Sequence, residues 1–333
     1  MFRPLPCYFH RVCSNYRGIT LPSLPGKVYA RVLERRVHPL VEPRIQEEQC
    51  GFRPGHGTQD QLFILSGLLE SAWESAPPVC MCFVDLEKAF DRVLRGVLWE
   101  YGVSGPLLWA IQSLYNCCKS LVSIAGNKSD SFLVGDGLRQ GCPLSPILFI
   151  IFIDRISRRS LVAEGFHLGG LRISSLLFSE DVVLLASSGD GLQLALEQFA
   201  AECEAVGMRM STSKSEAMVL SRKRVECPLR VRDKFLPQVE EFKYLGVLFT
   251  SDGRREPEID RWIGAAAAAM RTLYQSVVVK RELNIKAKLS IYRSIYVPTL
   301  NLWSRAVGSD RKNEIADTSG GNGIPLKGGW PLP

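Results

Sequence analysis

Residues 176–186 read LLFSEDVVLLA. Two apolar runs meet at a single acidic pair, Glu180-Asp181. Apolar runs on both sides of a short polar break predict a β-hairpin buried on at least one face. A carboxylate there is costly to bury unless it is paired or holds a metal. A second apolar run, VCMCFV, ends at Asp85. Set side by side, two such strands converge their carboxylates on one spot. That is the arrangement of a two-metal phosphoryl-transfer site.

The bulk numbers agree without deciding. A chain of 333 residues can hold two or three structural units. Lys and Arg total 41 against 34 Asp and Glu, a net charge of +7. That excess fits a polyanionic partner, and a solvated basic surface fits equally well. The ten cysteines show no C-x-x-C pair, and the four histidines do not cluster with them. The pattern opposes a zinc site or disulfide framework and favours a reducing, intracellular compartment, nucleus or cytoplasm. No apolar run nears the roughly 20 residues of a membrane span, so no membrane contact is expected. The opening residues lack a signal-peptide core.

Helical spacing appears at 27–41, at 59–74 behind a capping Thr58, and from about Lys88. Further helices are predicted at 107–119, through Ile156, and at 192–207. A hairpin is predicted from 121–124 and 131–134 around Gly126-Asn127. Short strands are expected at 217–220 and 244–249. Helices at 259–278 and 286–296 follow, and the Gly/Pro-rich end reads as disordered.

Three segments carry chemistry. Asp85 lies in CFVDLEKAFD, where strand-Asp-helix also fits an acidic helix cap. GLRQGCPLSPILF places Arg139 and Gln140 between glycines that permit close backbone approach, with Pro143 and Pro146 introducing a helix. A basic loop capping a helix is the alternative there. The third is the acidic pair itself.

In order and spacing, CFVDLEKAFD, GLRQGCPLSPILF, LLFSEDVVLLA, GMRMSTSKSEAMVL and EFKYLGVLF resemble the successive motifs of a reverse transcriptase. NYRGIT and CGFRPGHGTQDQ resemble the fingers motifs of the non-LTR (LINE-type) retrotransposon branch. The resemblance runs from about Ser14 to about Leu300. It implies an α+β right-hand polymerase fold with a ferredoxin-like antiparallel palm, α-rich fingers and a helical thumb. The implied division is fingers in 1–78 and 107–134, palm in 79–106 and 135–254, thumb in 255–305, and a disordered tail in 306–333.

The resemblance implies RNA-directed DNA synthesis from an RNA template, a DNA primer and deoxynucleoside triphosphates. Two Mg²⁺ ions would serve as cofactors, with Mn²⁺ able to substitute. Asp85, Glu180 and Asp181 would hold the metals, and Lys214 would be the acid for the pyrophosphate leaving group. Leu86, Arg53, Arg139, Gln140 and Gly141 would bind the nucleotide and template, and Phe90 would sense the sugar 2′ position. Tyr244, Leu245 and Gly246 would form the primer grip.

The pattern also departs from the family. FSED stands where FADD is typical, so Glu180 replaces an aspartate expected to hold metal. Mg²⁺ tolerates little distortion of its ligands, and a misplacement of about 1 Å can cost on the order of 10²-fold in rate. Because neighbouring strand side chains point to opposite faces, Asp181 is expected not to take over. Residues 96–101 look shorter than the family's helix, the upstream endonuclease and downstream Cys/His segment are missing, and similarity stops past Leu300. These departures imply an alternative: a catalytically inactive nucleic-acid-binding pseudoenzyme or a retrotransposon relic.

Overall fold

The computed structural model describes residues 20–75, 78–87, 97–116, 118–124, 127–134, 138–160, 165–168, 171–222, 225–254 and parts of 260–294. In chain order the helices are α1 (Leu24–Val41), α2 (Thr58–Ser75), α3 (Val97–Glu100), α4 (Gly105–Tyr115), α5 (Ser145–Arg159) and α6 (Gly189–Ala205). The strands begin with β1 (Val79–Val84), β2 (Leu86–Glu87), β3 (Cys118–Ser120), β4 (Ser123–Ile124), β5 (Asn127–Lys128) and β6 (Phe132–Val134). They continue with β7 (Phe166–Leu168), β8 (Leu171–Ile173), β9 (Ser175–Phe178), β10 (Asp181–Ala186), β11 (Arg209–Met210) and β12 (Glu216–Leu220). The last are β13 (Arg230–Val231), β14 (Lys234–Phe235), β15 (Glu241–Tyr244) and β16 (Val247–Thr250).

The chain divides into two units. The first holds Met1–Gly57, Val79–Ala217 and Glu226–Gln238, and the second Thr58–Pro78, Met218–Val225 and Val239–Pro333. The helix expected from Lys88, with Phe90, falls outside the described residues, as do the tail and most of the expected thumb.

The first unit is built on β1, β10 and β9. All six residues of β1 are buried, as an apolar run without alternation requires. β10 pairs antiparallel with β1, Cys80 opposite Ala186 through Val84 opposite Val182. β9 closes a hairpin on β10, with Asp181 opposite Phe178. α6 packs against β10 and β1, and α5 against β9 and α6. Ser188 caps α6, its Oγ accepting the Gly191 N–H at 3.0 Å. α5 is buried almost all round from Ile147 to Ser157, which makes it the core helix of this unit.

A charged residue sits inside that core. Asp154 on α5 is fully buried. Its carboxylate accepts the Gln46 backbone N–H at 2.8 Å, the Tyr101 hydroxyl at 2.5 Å and Arg158 Nε at 2.8 Å. Those partners offset the cost of burying the charge. They also tie the segment after α1 to the core helix.

The inserted ladder differs from the sequence expectation. Residues 132–134 pair with 118–120, and 123–124 pair with 127–128 inside them. Asn127, expected in the turn, is instead a strand residue opposite Ile124, and the outer strand takes its partners from before residue 121.

In the second unit, α2 buries Leu62, Leu65, Leu68, Leu69 and Ala72 along one face. The Arg222 guanidinium lies 5.6 Å from the Trp73 ring centroid and donates to the Trp73 carbonyl at 2.8 Å. The strand expected over 244–249 is instead a hairpin, β15 to β16, with Tyr244 opposite Val247. Leu245 (φ 46°) and Gly246 (φ 91°) are both left-handed, the pattern of a type I′ turn.

Candidate active site

The acidic hairpin turns in two residues, Ser179 and Glu180, between β9 and β10. Ser179 is left-handed (φ 57°) and buried. A non-glycine residue in that region is strained and must be held there by its surroundings. Glu180 therefore belongs to a turn, not to a strand, and Asp181 is the first residue of β10. The register of β1 on β10 ends with Val84 opposite Val182. Continued by one position, it sets Asp85 opposite Asp181, and facing residues of an antiparallel pair share one face of the sheet. This corrects the sequence expectation that Asp181 points away. Strand alternation does not run through a turn, so Glu180 cannot be used to count faces.

The loop after β11 flanks Asp85. The Ser211 N–H donates to the Asp85 carbonyl at 2.8 Å, and the Asp85 N–H donates to Ser215 Oγ at 3.0 Å. Between those two serines the chain presents Lys214, whose Nζ lies 3.8 Å from Asp85 Oδ2. Leu86 is buried and pairs with Met210 in the β2–β11 ladder, which extends the same junction.

Negative charge accumulates here. Partial removal from water, then the charges of Glu180 and of Asp85, push the Asp181 carboxyl up to about 6. Asp181 is nonetheless exposed overall, so the neighbouring charges are the part of the shift that a cation would relieve. The Glu180 carboxylate accepts a hydrogen bond from the Ser179 hydroxyl. The donor set is three carboxylates and no thiol or imidazole, which suits a hard cation such as Mg²⁺. Asp85, Asp181 and Glu180 are the residues that would hold it.

The other sequence-derived residues fall into three groups. Arg139 donates to the Leu114 carbonyl at 2.7 Å and lies 5.5 Å from the Tyr115 ring centroid. The Gln140 carbonyl accepts the Thr20 N–H at 2.8 Å, and Gly141 is left-handed (φ 107°) and exposed. Arg53 is buried in its own loop: Nε donates to Glu42 at 2.8 Å and Nη1 to the carbonyls of Gln46 and Gln49 at 2.9 and 2.8 Å. Tyr244, Leu245 and Gly246 lie in the second unit at the type I′ turn, and the Gly246 carbonyl accepts Arg261 Nη2 at 2.6 Å.

Sequence reasoning missed the residues that hold the site's backbone. Ser211 and Ser215 are ordinary in a polar loop until their partners are known. Gln49 precedes the GFRPG motif and looks like a surface residue, yet it is fully buried. Cys50 N–H donates to the Leu177 carbonyl at 2.9 Å, and Leu177 N–H to the Glu48 carbonyl at 3.0 Å. The segment before GFRPG is thus laid parallel along β9.

Residues 9–249 match the family described as reverse transcriptase (RNA-dependent DNA polymerase). The chain is 27% identical over 266 residues to a retrovirus-related Pol polyprotein from the type-1 retrotransposable element R2 of Nasonia vitripennis, covering 74% of this chain and 25% of that protein. It is 25% identical over 320 residues to the polyprotein of element R2DM of Drosophila melanogaster, covering 90% and 29%. The RNA-directed DNA polymerase from mobile element jockey of Drosophila funebris is 27% identical over 303 residues, covering 86% and 32%. The chain therefore spans about a quarter to a third of the length of these relatives. Among solved structures, a telomerase from Candida tropicalis, determined with a fragment of telomeric RNA, aligns at 11% identity with a TM-score of 0.49, covering 90% of this chain and 48% of that one. Given the family match over most of its length, the chain belongs to the reverse transcriptase (RNA-dependent DNA polymerase) family, with that family's α+β right-hand polymerase fold.

Proposed function

We propose that this chain extends a DNA primer on an RNA template from deoxynucleoside triphosphates, with Asp85 and Asp181 as the principal metal ligands. The observation that carries this reading is the register that sets Asp85 opposite Asp181, with Lys214 beside Asp85. Bound divalent ions would neutralise the reacting phosphates and orient the attacking and leaving oxygens. Lys214, 3.8 Å from Asp85 Oδ2, is proposed to donate a proton to the departing pyrophosphate. The Leu86 backbone, Arg139, Gln140 and Gly141 are proposed to meet the nucleotide and template. Arg53 already spends Nε and Nη1 within its loop, so its contribution is to shape that loop. Phe90 is proposed as the sugar sensor, and Tyr244, Leu245 and Gly246 as the primer grip.

A second reading is binding of nucleic acid without turnover. The Ser179-to-Glu180 hydrogen bond favours it, because that contact occupies one oxygen of a proposed ligand. Primer extension on an RNA template, with and without Asp85→Asn, tests both. Synthesis that Asp85→Asn abolishes supports the polymerase. Salt-dependent template binding with no synthesis in either protein supports the second reading.

A further inference from the structure

The acidic turn has a brace. Gln49 is fully buried, and its side-chain oxygen Oε1 accepts two backbone N–H groups, Gly51 at 2.7 Å and Ser179 at 3.3 Å. One of those donors is the strained residue of the turn. Those two donors also fix which end of the amide is oxygen. The amide nitrogen Nε2 has no hydrogen-bond partner among the described residues.

That imbalance is informative. A buried amide with an unpaired nitrogen is poor packing material, since a hydrocarbon of similar volume would carry no unsatisfied polar atom of its own. What a hydrocarbon lacks is the acceptor. The neighbouring backbone shows how close the two segments run. A Cβ added to Gly51 would lie 2.2 Å from the Ser179 backbone nitrogen and 2.9 Å from its Cα. Glycine is required there for the approach, and the approach brings Gln49 to the turn. The flanking bonds from Cys50 and to Glu48 hold the same segment along β9.

We infer that Gln49 is a positioning residue of the polymerase site: its side-chain oxygen holds the Ser179 amide and thereby sets where Glu180 and Asp181 stand. The inference rests on the active-site reading above. It assigns Gln49 no contact with substrate. It also gives the segment before GFRPG a task, fixing the turn, that is independent of nucleotide binding.

The test uses the full chain and Mn²⁺ alone as probe. Gln49→Met keeps the length and removes the acceptor. Gln49→Glu keeps a carbonyl acceptor, and burial favours its neutral form. Hydrogen exchange at the Ser179 amide and Mn²⁺ affinity by electron paramagnetic resonance are the readouts. Gln49→Met is expected to speed Ser179 exchange at least about fivefold. It should weaken Mn²⁺ binding about tenfold and lower kcat for incorporation more than it raises the nucleotide KM. Gln49→Glu should restore both readouts. A Gln49→Met protein with unchanged exchange and unchanged Mn²⁺ affinity overturns the inference. If Gln49→Met does not fold, Gln49→Glu decides: wild-type exchange upholds the role, and fast exchange with a native melting curve overturns it. Asp85→Asn separates the two levels. If it retains Mn²⁺ binding, the active-site reading fails, while the exchange result still judges Gln49.

Discussion

Lys214 Nζ lies 3.8 Å from Asp85 Oδ2, on a loop whose two serines hydrogen-bond the Asp85 backbone. The lysine side chain is mostly exposed, so the pair adds little to stability. Lys214→Gln should therefore leave the melting temperature nearly unchanged. If Lys214 protonates the leaving group, the same substitution should slow single-nucleotide incorporation about 10²- to 10⁴-fold. Lys214→Arg should fall between. A melting curve and a rapid-quench time course on the same protein check both halves.

Asp181 gives a pH dependence with a definite sign. Its carboxyl titrates at about 6 in the fold against 3.8 ordinarily. The fold therefore holds that proton more tightly than the unfolded chain does. In metal-free protein this favours the fold below about pH 4 and is lost as pH rises through about 6. Asp181 is exposed, so screening keeps the effect small. Divalent metal competes with the proton, so Mg²⁺ should stabilise the protein above pH 6 and barely below it. Melting curves from pH 4 to 8, with and without Mg²⁺, should show that crossing, and Asp181→Asn should remove it.

Glu180→Asp shortens the side chain by one methylene and withdraws it from Ser179 Oγ. If ligand reach limits the wild type, polymerisation should rise by about 10²-fold. Ser179→Ala, which removes only the competing hydroxyl, should give a smaller rise. Mn²⁺ should narrow the gap between wild type and Glu180→Asp in a primer-extension assay.

Arg53 carries a stability prediction. Its buried guanidinium is paired with Glu42 and two carbonyls. Arg53→Ala leaves Glu42 without that partner and should cost about 3–5 kcal/mol. Arg53→Lys cannot reproduce the forked geometry and should recover only part. Urea denaturation followed by circular dichroism measures both.

The elements most legible in the sequence were those set by apolar runs: β1, the β9–β10 hairpin and α5 all appear where burial demands them. The misreadings share a cause, which is that turns reset local patterns. Strand alternation counted through Glu180 turns Asp181 away from Asp85, and the count lapses because Glu180 lies in the turn. Residues 244–249 read as one strand because Leu245 is not a turn-forming residue, and its left-handed backbone is set by the fold. Gln49 could not be found from composition. A buried polar side chain looks like any surface glutamine until its two donors are located.

The contacts of Asp154 bear on how the acidic turn behaves as a mechanical object. The chain leaving α1 is caught at Gln46 by Asp154 of α5, runs along β9, and is caught again at Arg53 by Glu42. A strap fastened at both ends transmits displacement instead of absorbing it. A small shift of α5 relative to α1 would reach the Ser179 amide as a pull, carried by the Asp154 carboxylate at one end and the Gln49 side-chain oxygen at the other. Repacking the helix that fills the core would then retune catalysis without touching a single residue that meets the substrate.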